Sequence, residues 1–221
     1  AYMDEVKSIA KKHGLELFAI EAAVGAGVGV SAPLDEDKIK VMTQVFEVAN
    51  RLGIPIVAIG SGGKSGDKEE AEKALEFIRK LAEHAESWNI TLAVKPHVGA
   101  SVGINFDPSH LYRAGDNIPE AALTLGANIV HSHFRDCPHR KQHPGLPEQQ
   151  IPGWGEIDIL ATLRALKDVG YRGVIDVEVI GAFTYPLSRQ MAIAAEARGY
   201  LNRCLQELNM KQMVEGEKSW S

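Results

Sequence analysis

The chain has 221 residues, of which 45% are hydrophobic and 24% are charged, a composition typical of an ordinary folded protein with a sizeable core. Its net charge of −5 argues against a nucleic-acid partner held by a basic face. The two cysteines, Cys137 and Cys204, form neither a disulfide framework nor a paired-cysteine zinc motif, which favours a reducing cytoplasm. No apolar run approaches the length of a membrane span, so we expect no membrane partner.

Helices and strands alternate along the chain. The apolar strand segments are continuous rather than alternating, which is typical of a parallel sheet that is buried on both faces. We expect one domain over residues 1–210 and a loose polar tail over 211–221. The predicted helices cover 4–13, 35–52, 67–88, 119–125, 157–169 and 187–205, and the predicted strands cover 15–22, 54–60, 91–97, 102–110, 128–136 and 173–180.

Polar residues gather at or near the ends of four successive predicted strands. In a (β/α)₈ barrel the carboxyl ends of the strands meet at one site, whereas an open sheet binds its ligand at a single switch point. The pattern therefore favours a barrel over a doubly wound sheet. The residues concerned are Lys95, His97, Asp107, His110, His131, His133, Arg135, Asp176 and Glu178.

Two features depart from a complete barrel. Six strands are visible where eight are needed, and the segment VGAS after His97 is too short for the crossover between parallel strands. Either residues 91–97 and 102–110 form a hairpin, or a helix is absent between them. We favour the absent helix.

Four segments resemble the sugar phosphate isomerase/epimerase family of xylose isomerase-like TIM barrels: VKPH, VGINFDPSHLYRAGDN, IVHSHFRD and IPGWGEIDILATLRALKDVGYRGVIDVEVI. The resemblance covers nearly the whole chain. It implies a (β/α)₈ barrel that lacks its first β-α-β unit and the helix after the fifth strand. It also implies a single divalent ion, Mn, Zn, Co or Mg, which polarises a sugar carbonyl while side chains move a neighbouring proton.

The resemblance assigns site residues by their position in these motifs. Asp107 of D-P-S-H, His133 of H-S-H and Glu178 of the last strand match metal ligands. His110 matches a histidine that faces substrate or metal and is a catalytic candidate together with Glu178. Arg135 or Arg140 is expected to hold the substrate.

Lys95 is the main departure from the family pattern. Many relatives carry a metal-binding Glu in a strand-five E-P-H, and an ammonium group cannot replace it as a ligand. Either His97 binds the ion or the substrate there, or water takes the place. Relatives that epimerise commonly use that Glu with the last-strand Glu as a proton-shuttling pair. We therefore predict that Lys95 acts as the base or orients a keto group.

Each candidate also has a structural interpretation. Asp107 could cap a turn, because Asp-Pro is common there. His131 is expected to be structural, and Lys95 could instead pair with Glu21, which is otherwise a candidate for substrate binding. The Pro- and Gly-rich segment 138–158 is expected to fold over the barrel mouth and bring Trp154 or Arg140 near the substrate.

Several functions remain open from sequence alone. The first is a sugar or keto-sugar isomerase or epimerase, with a metal-dependent lyase or dehydratase as its variant. A non-catalytic barrel and a zinc phosphodiesterase like the apurinic endonucleases are the other two, and the acidic charge weighs against the latter. The P-loop-like AIGSGGKS does not run directly into its helix, so nucleotide binding is not expected. The oligomeric state stays open, with a homo-oligomer as one option.

Overall fold

The computed structural model describes residues 2–22, 36–60, 68–95, 103–140 and 145–209. They divide into two compact units, Ala1–Asn105 and Phe106–Ser221. The expected tail over 211–221 and His97 lie outside the described residues. The single domain over 1–210 stays a prediction. Within the described ranges, no helix combines the length and apolar character that crossing a membrane requires.

Within its described residues, the first unit contains three helices and a parallel sheet. Strands β1, β2 and β3 pair in sequence order, and β4 joins β3 through the partners Ala93–Gly103 and Val94–Ile104. This pairing is parallel, so the hairpin alternative for residues 91–110 is wrong. The elements are α1 (Tyr2–Lys12), β1 (Ala19–Glu21), α2 (Glu36–Leu52), β2 (Ile56–Ile59), α3 (Lys68–Ser87), β3 (Thr91–Val94) and the start of β4 (Gly103–Phe106).

The core of the first unit follows from the periodicity of its elements. Every residue of β2 is buried, as expected for a parallel strand covered on both faces. Helix α3 buries one stripe that includes Phe77, Ile78 and Leu81, at the spacing of successive helical turns. Phe46 of α2 is fully buried in the same cluster.

In the part of the second unit that the structure describes, there are four helices and the parallel pair β5–β6. Its core includes Phe106, Phe134, Leu163 and Leu166, all fully buried. The elements are α4 (Pro108–Ala114), α5 (Ile118–Leu125), β5 (Ile129–Phe134), α6 (Ile159–Asp168), β6 (Asp176–Val177) and α7 (Leu187–Glu207), with 3₁₀ turns at Gly126–Asn128, Pro147–Gln150 and Ala182–Thr184.

Two predicted strands are shorter than their apolar segments suggest. β4 ends at Phe106, and helix α4 follows from Pro108, so His110 lies on a helix rather than at a strand end. β6 has two residues, within the predicted 173–180. In both places the strand ends directly before a predicted site residue, Asp107 after β4 and Glu178 after β6.

Candidate metal centre

Asp107 caps helix α4 with one carboxylate oxygen. Its Oδ1 accepts hydrogen bonds from the Ser109 amide at 3.0 Å, the Ser109 hydroxyl at 2.7 Å and the His110 amide at 3.3 Å. Pro108 occupies the first turn, where its missing N–H costs nothing. The structural interpretation of Asp107 as a cap is thus confirmed. The cap uses Oδ1, whereas Oδ2 lies near the other side chains of the candidate site.

The register of β5 and β6 brings the remaining acidic and imidazole groups together. His133 is the direct parallel partner of Asp176, and the Glu178 amide donates to the Phe134 carbonyl at 3.2 Å. Alternation along a strand puts Asp176 and Glu178 on the same face. Glu178 Oε1 consequently lies 3.8 Å from His133 Nδ1.

Asp107, His133 and Glu178 form a group that fits one divalent ion. Their ligand atoms all lie within 4.8 Å of one another. Bonds from zinc to nitrogen or oxygen are about 2.0–2.2 Å, so two ligands of one ion lie up to about 4.4 Å apart. Small side-chain adjustments close the difference. Oxygen and imidazole ligands suit Zn, Mn or Co, and this donor set does not distinguish among them.

Arg135 lies beside both carboxylates of this group and is almost completely buried, with 1% of its side chain exposed. Its Nη2 is 3.6 Å from Asp107 Oδ2, and its Nε is 3.6 Å from Glu178 Oε2. Two carboxylates beside one guanidinium leave a net negative charge, which a bound divalent cation would offset.

A second group shares His133. His131, His133 and Asp176 also offer ligand atoms within 4.8 Å of one another. Asp176 Oδ2 lies 3.8 Å from His131 Nε2 and 3.9 Å from His133 Nε2. Burial raises the pKa of the Asp176 carboxyl, while the neighbouring His133 opposes that rise. His131, expected to be structural, is therefore also a candidate ligand.

The comparison with known families decides the fold. A family model described as a xylose isomerase-like TIM barrel matches residues 1–101 and 97–204, which together span most of the chain. The chain belongs to this family. The predicted fold class and the predicted family are thereby confirmed. The two matched segments meet at 97–101, which is where we predicted a missing helix.

Individual relatives are distant. Inosose isomerase of Bacillus subtilis strain 168 is 24% identical over 165 residues, which cover 74% of this chain and 54% of the relative. The chain spans about half the length of the curated relatives it matches.

Two solved structures share the barrel fold with this chain. The structure of the IolI protein with a bound zinc atom aligns with a TM-score of 0.71 at 20% identity, over 93% of this chain and 82% of the other. D-psicose 3-epimerase from Clostridium cellulolyticum H10, solved with D-tagatose, aligns with a TM-score of 0.71 at 18% identity, over 92% and 83%.

The other predicted site residues that the structure describes contact different partners. Lys95 Nζ lies 3.8 Å from Glu21 Oε1, the partner expected if the lysine is structural. The Arg140 guanidinium stacks 4.5 Å above the Tyr112 ring. Trp154 is 61% exposed, and its indole N–H donates to Glu196 at 2.8 Å. Contacts of Arg140 and Trp154 with a substrate stay predictions.

Hydrogen bonds hold the loop before α6 against the carboxyl ends of β5 and β6. Asp136, just after β5, is fully buried and accepts from the amides of Cys137 at 2.8 Å, Gly153 at 2.8 Å and Ile157 at 3.1 Å. The Gln150 amide group exchanges two hydrogen bonds with the Ile180 backbone, at 2.9 and 3.0 Å. Residues 145–157 therefore lie at the strand edge that carries His133 and Glu178.

Sequence reasoning missed Asp136, Gln150 and Ser109 as organisers of the site. Asp136 directly follows Arg135, and only the arginine of this pair was a predicted site residue. Ser109 belongs to the D-P-S-H motif, and its hydroxyl is buried between Asp107 and Arg135. Gln150 gave no local signal, because its partner Ile180 lies 30 residues further along the chain.

Proposed function

We propose that this chain carries the divalent-metal centre of a sugar or keto-sugar isomerase or epimerase. The observation that supports it most is the group of Asp107, His133 and Glu178, whose ligand atoms lie within 4.8 Å of one another. The names of the relatives, inosose isomerase and D-psicose 3-epimerase, supply the substrate class. A divalent ion bound there would polarise the carbonyl of a keto sugar.

The residues around that centre have distinct tasks in this proposal. Asp107 and His133 hold the ion. Both side chains are almost fully buried, and the α4 cap and strand β5 fix their positions before an ion binds. Glu178 is 26% exposed, so it can bind the ion and also reach the hydrogen next to the substrate carbonyl. His110, whose side chain is 46% exposed, is the second group able to contact substrate.

Proton exchange with solvent tests this proposal, because it detects proton removal whatever the final product is. The metal-loaded protein is incubated in D₂O with inosose and, separately, with D-tagatose, and the sugar is followed by NMR. We expect deuterium to enter at the carbon next to the carbonyl of at least one of them. Glu178→Gln should slow this exchange by about 10²-fold or more, since a general base is removed.

The control is Asp116→Asn, which changes an exposed carboxylate of the same unit and should exchange at the parent rate. Absence of exchange with both sugars and with related keto-polyols would contradict the proposal. Loss of water from the sugar would support the lyase or dehydratase variant instead.

One observation favours a second candidate, a phosphodiesterase with more than one zinc ion. The group of His131, His133 and Asp176 offers a further ligand set beside the first. The net charge of −5 weighs against a nucleic-acid substrate. Two or more zinc ions per chain, together with hydrolysis of a model phosphodiester, would favour this alternative.

A further inference from the structure

We propose that Gln150 is a positioning residue that joins the carboxyl ends of strands β5 and β6 and thereby sets the separation between His133 and Glu178. The catalytic meaning of this inference rests on the proposed function, in which Glu178 binds the ion and moves the proton. The joining itself follows from the hydrogen bonds of Gln150, which is fully buried.

Strands β5 and β6 separate directly after the candidate site. Phe134 pairs with Val177, and the Glu178 amide donates to the Phe134 carbonyl at 3.2 Å. If the two strands continued in this register, the Asp136 amide would donate to the Glu178 carbonyl and the Ile180 amide to the Asp136 carbonyl. Both amides donate to another residue instead, which marks the point where the strands separate.

Gln150 accepts both of these hydrogen bonds. The Asp136 amide donates to its backbone carbonyl at 2.7 Å, and the Ile180 amide donates to its side-chain Oε1 at 2.9 Å. The NH₂ group donates in turn to the Ile180 carbonyl at 3.0 Å and to the Gly145 carbonyl at 3.1 Å. The reversed amide would place its oxygen against two carbonyl oxygens, so these contacts fix its orientation. Gln150 thus replaces the ladder between the two strands where they separate.

Apolar packing joins the same two segments. Ile151 forms a buried cluster with Ile193 and Ala197 of α7, and Val179 packs against that cluster. Residues 150–151 therefore contact residues 179–180 through hydrogen bonds and through apolar packing. Removing the carboxamide alone leaves the apolar packing in place, so the effect of the hydrogen bonds on the site can be measured separately.

Glu178 consequently lies between two fixed points of the backbone. Its own amide is held by the Phe134 carbonyl, and two residues later Ile180 is held by Gln150. Its carboxylate lies 3.8 Å from His133 Nδ1. Two ligands of one zinc ion lie up to about 4.4 Å apart, so a shift of β6 by about 1 Å away from β5 would take Glu178 out of reach of an ion bound to His133.

Amide hydrogen exchange, measured by NMR on the metal-free protein, tests the joining directly. Gln150→Met keeps a long unbranched side chain and removes its hydrogen bonds. We expect the Ile180 amide to lose protection and the Glu178 amide to exchange at least about 10-fold faster, while the amides of α6, which report global unfolding, change less. Gln149→Met, at an exposed glutamine of the same loop, should match the parent protein.

The exchange of the Glu178 amide decides whether Gln150 acts on the site. If it is unchanged in Gln150→Met, Gln150 holds only the loop, and the inference is overturned. If this variant does not fold, the parent protein is decisive. An Ile180 amide that exchanges there as fast as an unstructured one would overturn the inference as well, and a protected one would support it.

Cobalt-loaded protein tests the effect on the metal centre. Co²⁺ accepts the same oxygen and imidazole ligands, and its visible absorption spectrum reports their geometry. In Gln150→Met we expect an altered spectrum and zinc binding weakened by about 10–100-fold. Leu163→Ala, which shortens a fully buried core side chain of α6, lowers stability but should keep the parent spectrum. A parent spectrum in Gln150→Met would overturn the inference. Absence of metal binding to the parent protein would refute the proposed function, and the hydrogen-exchange result would still decide the role of Gln150.

Discussion

Asp136 offers the sharpest test of how the loop before α6 is held. Its buried carboxylate accepts three backbone hydrogen bonds, two at Oδ1 and one at Oδ2. Each buried donor that loses its partner costs about 1–3 kcal/mol. Asp136→Ala orphans three amides, although some of them regain water as the loop loosens. We therefore expect this substitution to lower the free energy of unfolding by about 3–5 kcal/mol.

Asp136→Asn should be milder and more local. Its amide oxygen can replace Oδ1 and keep the Cys137 and Ile157 hydrogen bonds, whereas its NH₂ group then faces the Gly153 amide. One opposed donor pair should cost about 1–3 kcal/mol and loosen the loop near Gly153.

Urea unfolding followed by circular dichroism measures both losses, and limited proteolysis locates the loosened loop. Asp116→Ala, an exposed aspartate in the same unit, should stay within about 0.5 kcal/mol of the parent protein. If Asp136→Ala stays within about 1 kcal/mol of the parent, the three hydrogen bonds do not hold the loop as we describe.

Three further substitutions test separate parts of the account. Gly155→Ala would place its Cβ against the Asp136 carboxylate and 2.6 Å from the Cys137 carbonyl oxygen, so urea unfolding should reveal a loss of about 1–3 kcal/mol, and an unchanged midpoint would contradict this packing. Gly199→Ala, in helix α7 with open space beyond the helix's own backbone where the new methyl group would lie, should raise the free energy of unfolding by about 0.5–1 kcal/mol, and any clear loss would show a clash that we do not see. Lys95→Met tests the catalytic role predicted from sequence against the ion pair with Glu21: a catalytic lysine requires turnover to disappear while metal content is retained, and normal turnover would make the lysine a structural partner of Glu21.

The strands were predictable because a parallel strand that is buried on both faces consists of a continuous run of apolar residues. β2 is the clearest case, with all four residues buried. The end of β4 was harder. D-P-S-H holds the signals of a helix start, an acidic cap followed by Pro, yet the apolar run before it favours extending the strand through His110.

The residues of the site were predictable from the sequence, whereas the contacts among their side chains were not. Motif positions indicated Asp107, His133 and Glu178. The register of β5 and β6 brings His133 and Glu178 together, and the cap of α4 positions Asp107, so that the ligand atoms of all three lie within 4.8 Å of one another. Arg135 was expected at the substrate, whereas its side chain is buried against Ser109 and His110. Contacts between residues far apart in the chain leave no local pattern, so they could not be predicted from one sequence.

Isothermal titration calorimetry of zinc binding to the metal-free protein tests most directly the central claim, that this chain forms a metal centre. We expect saturable binding of one ion to the parent protein and to Asp116→Asn. In Asp107→Ala, which loses one of the three proposed ligands, binding should weaken by at least about 10-fold. Absence of saturable binding to the parent, or equal affinity in Asp107→Ala, would contradict a metal centre formed by Asp107, His133 and Glu178.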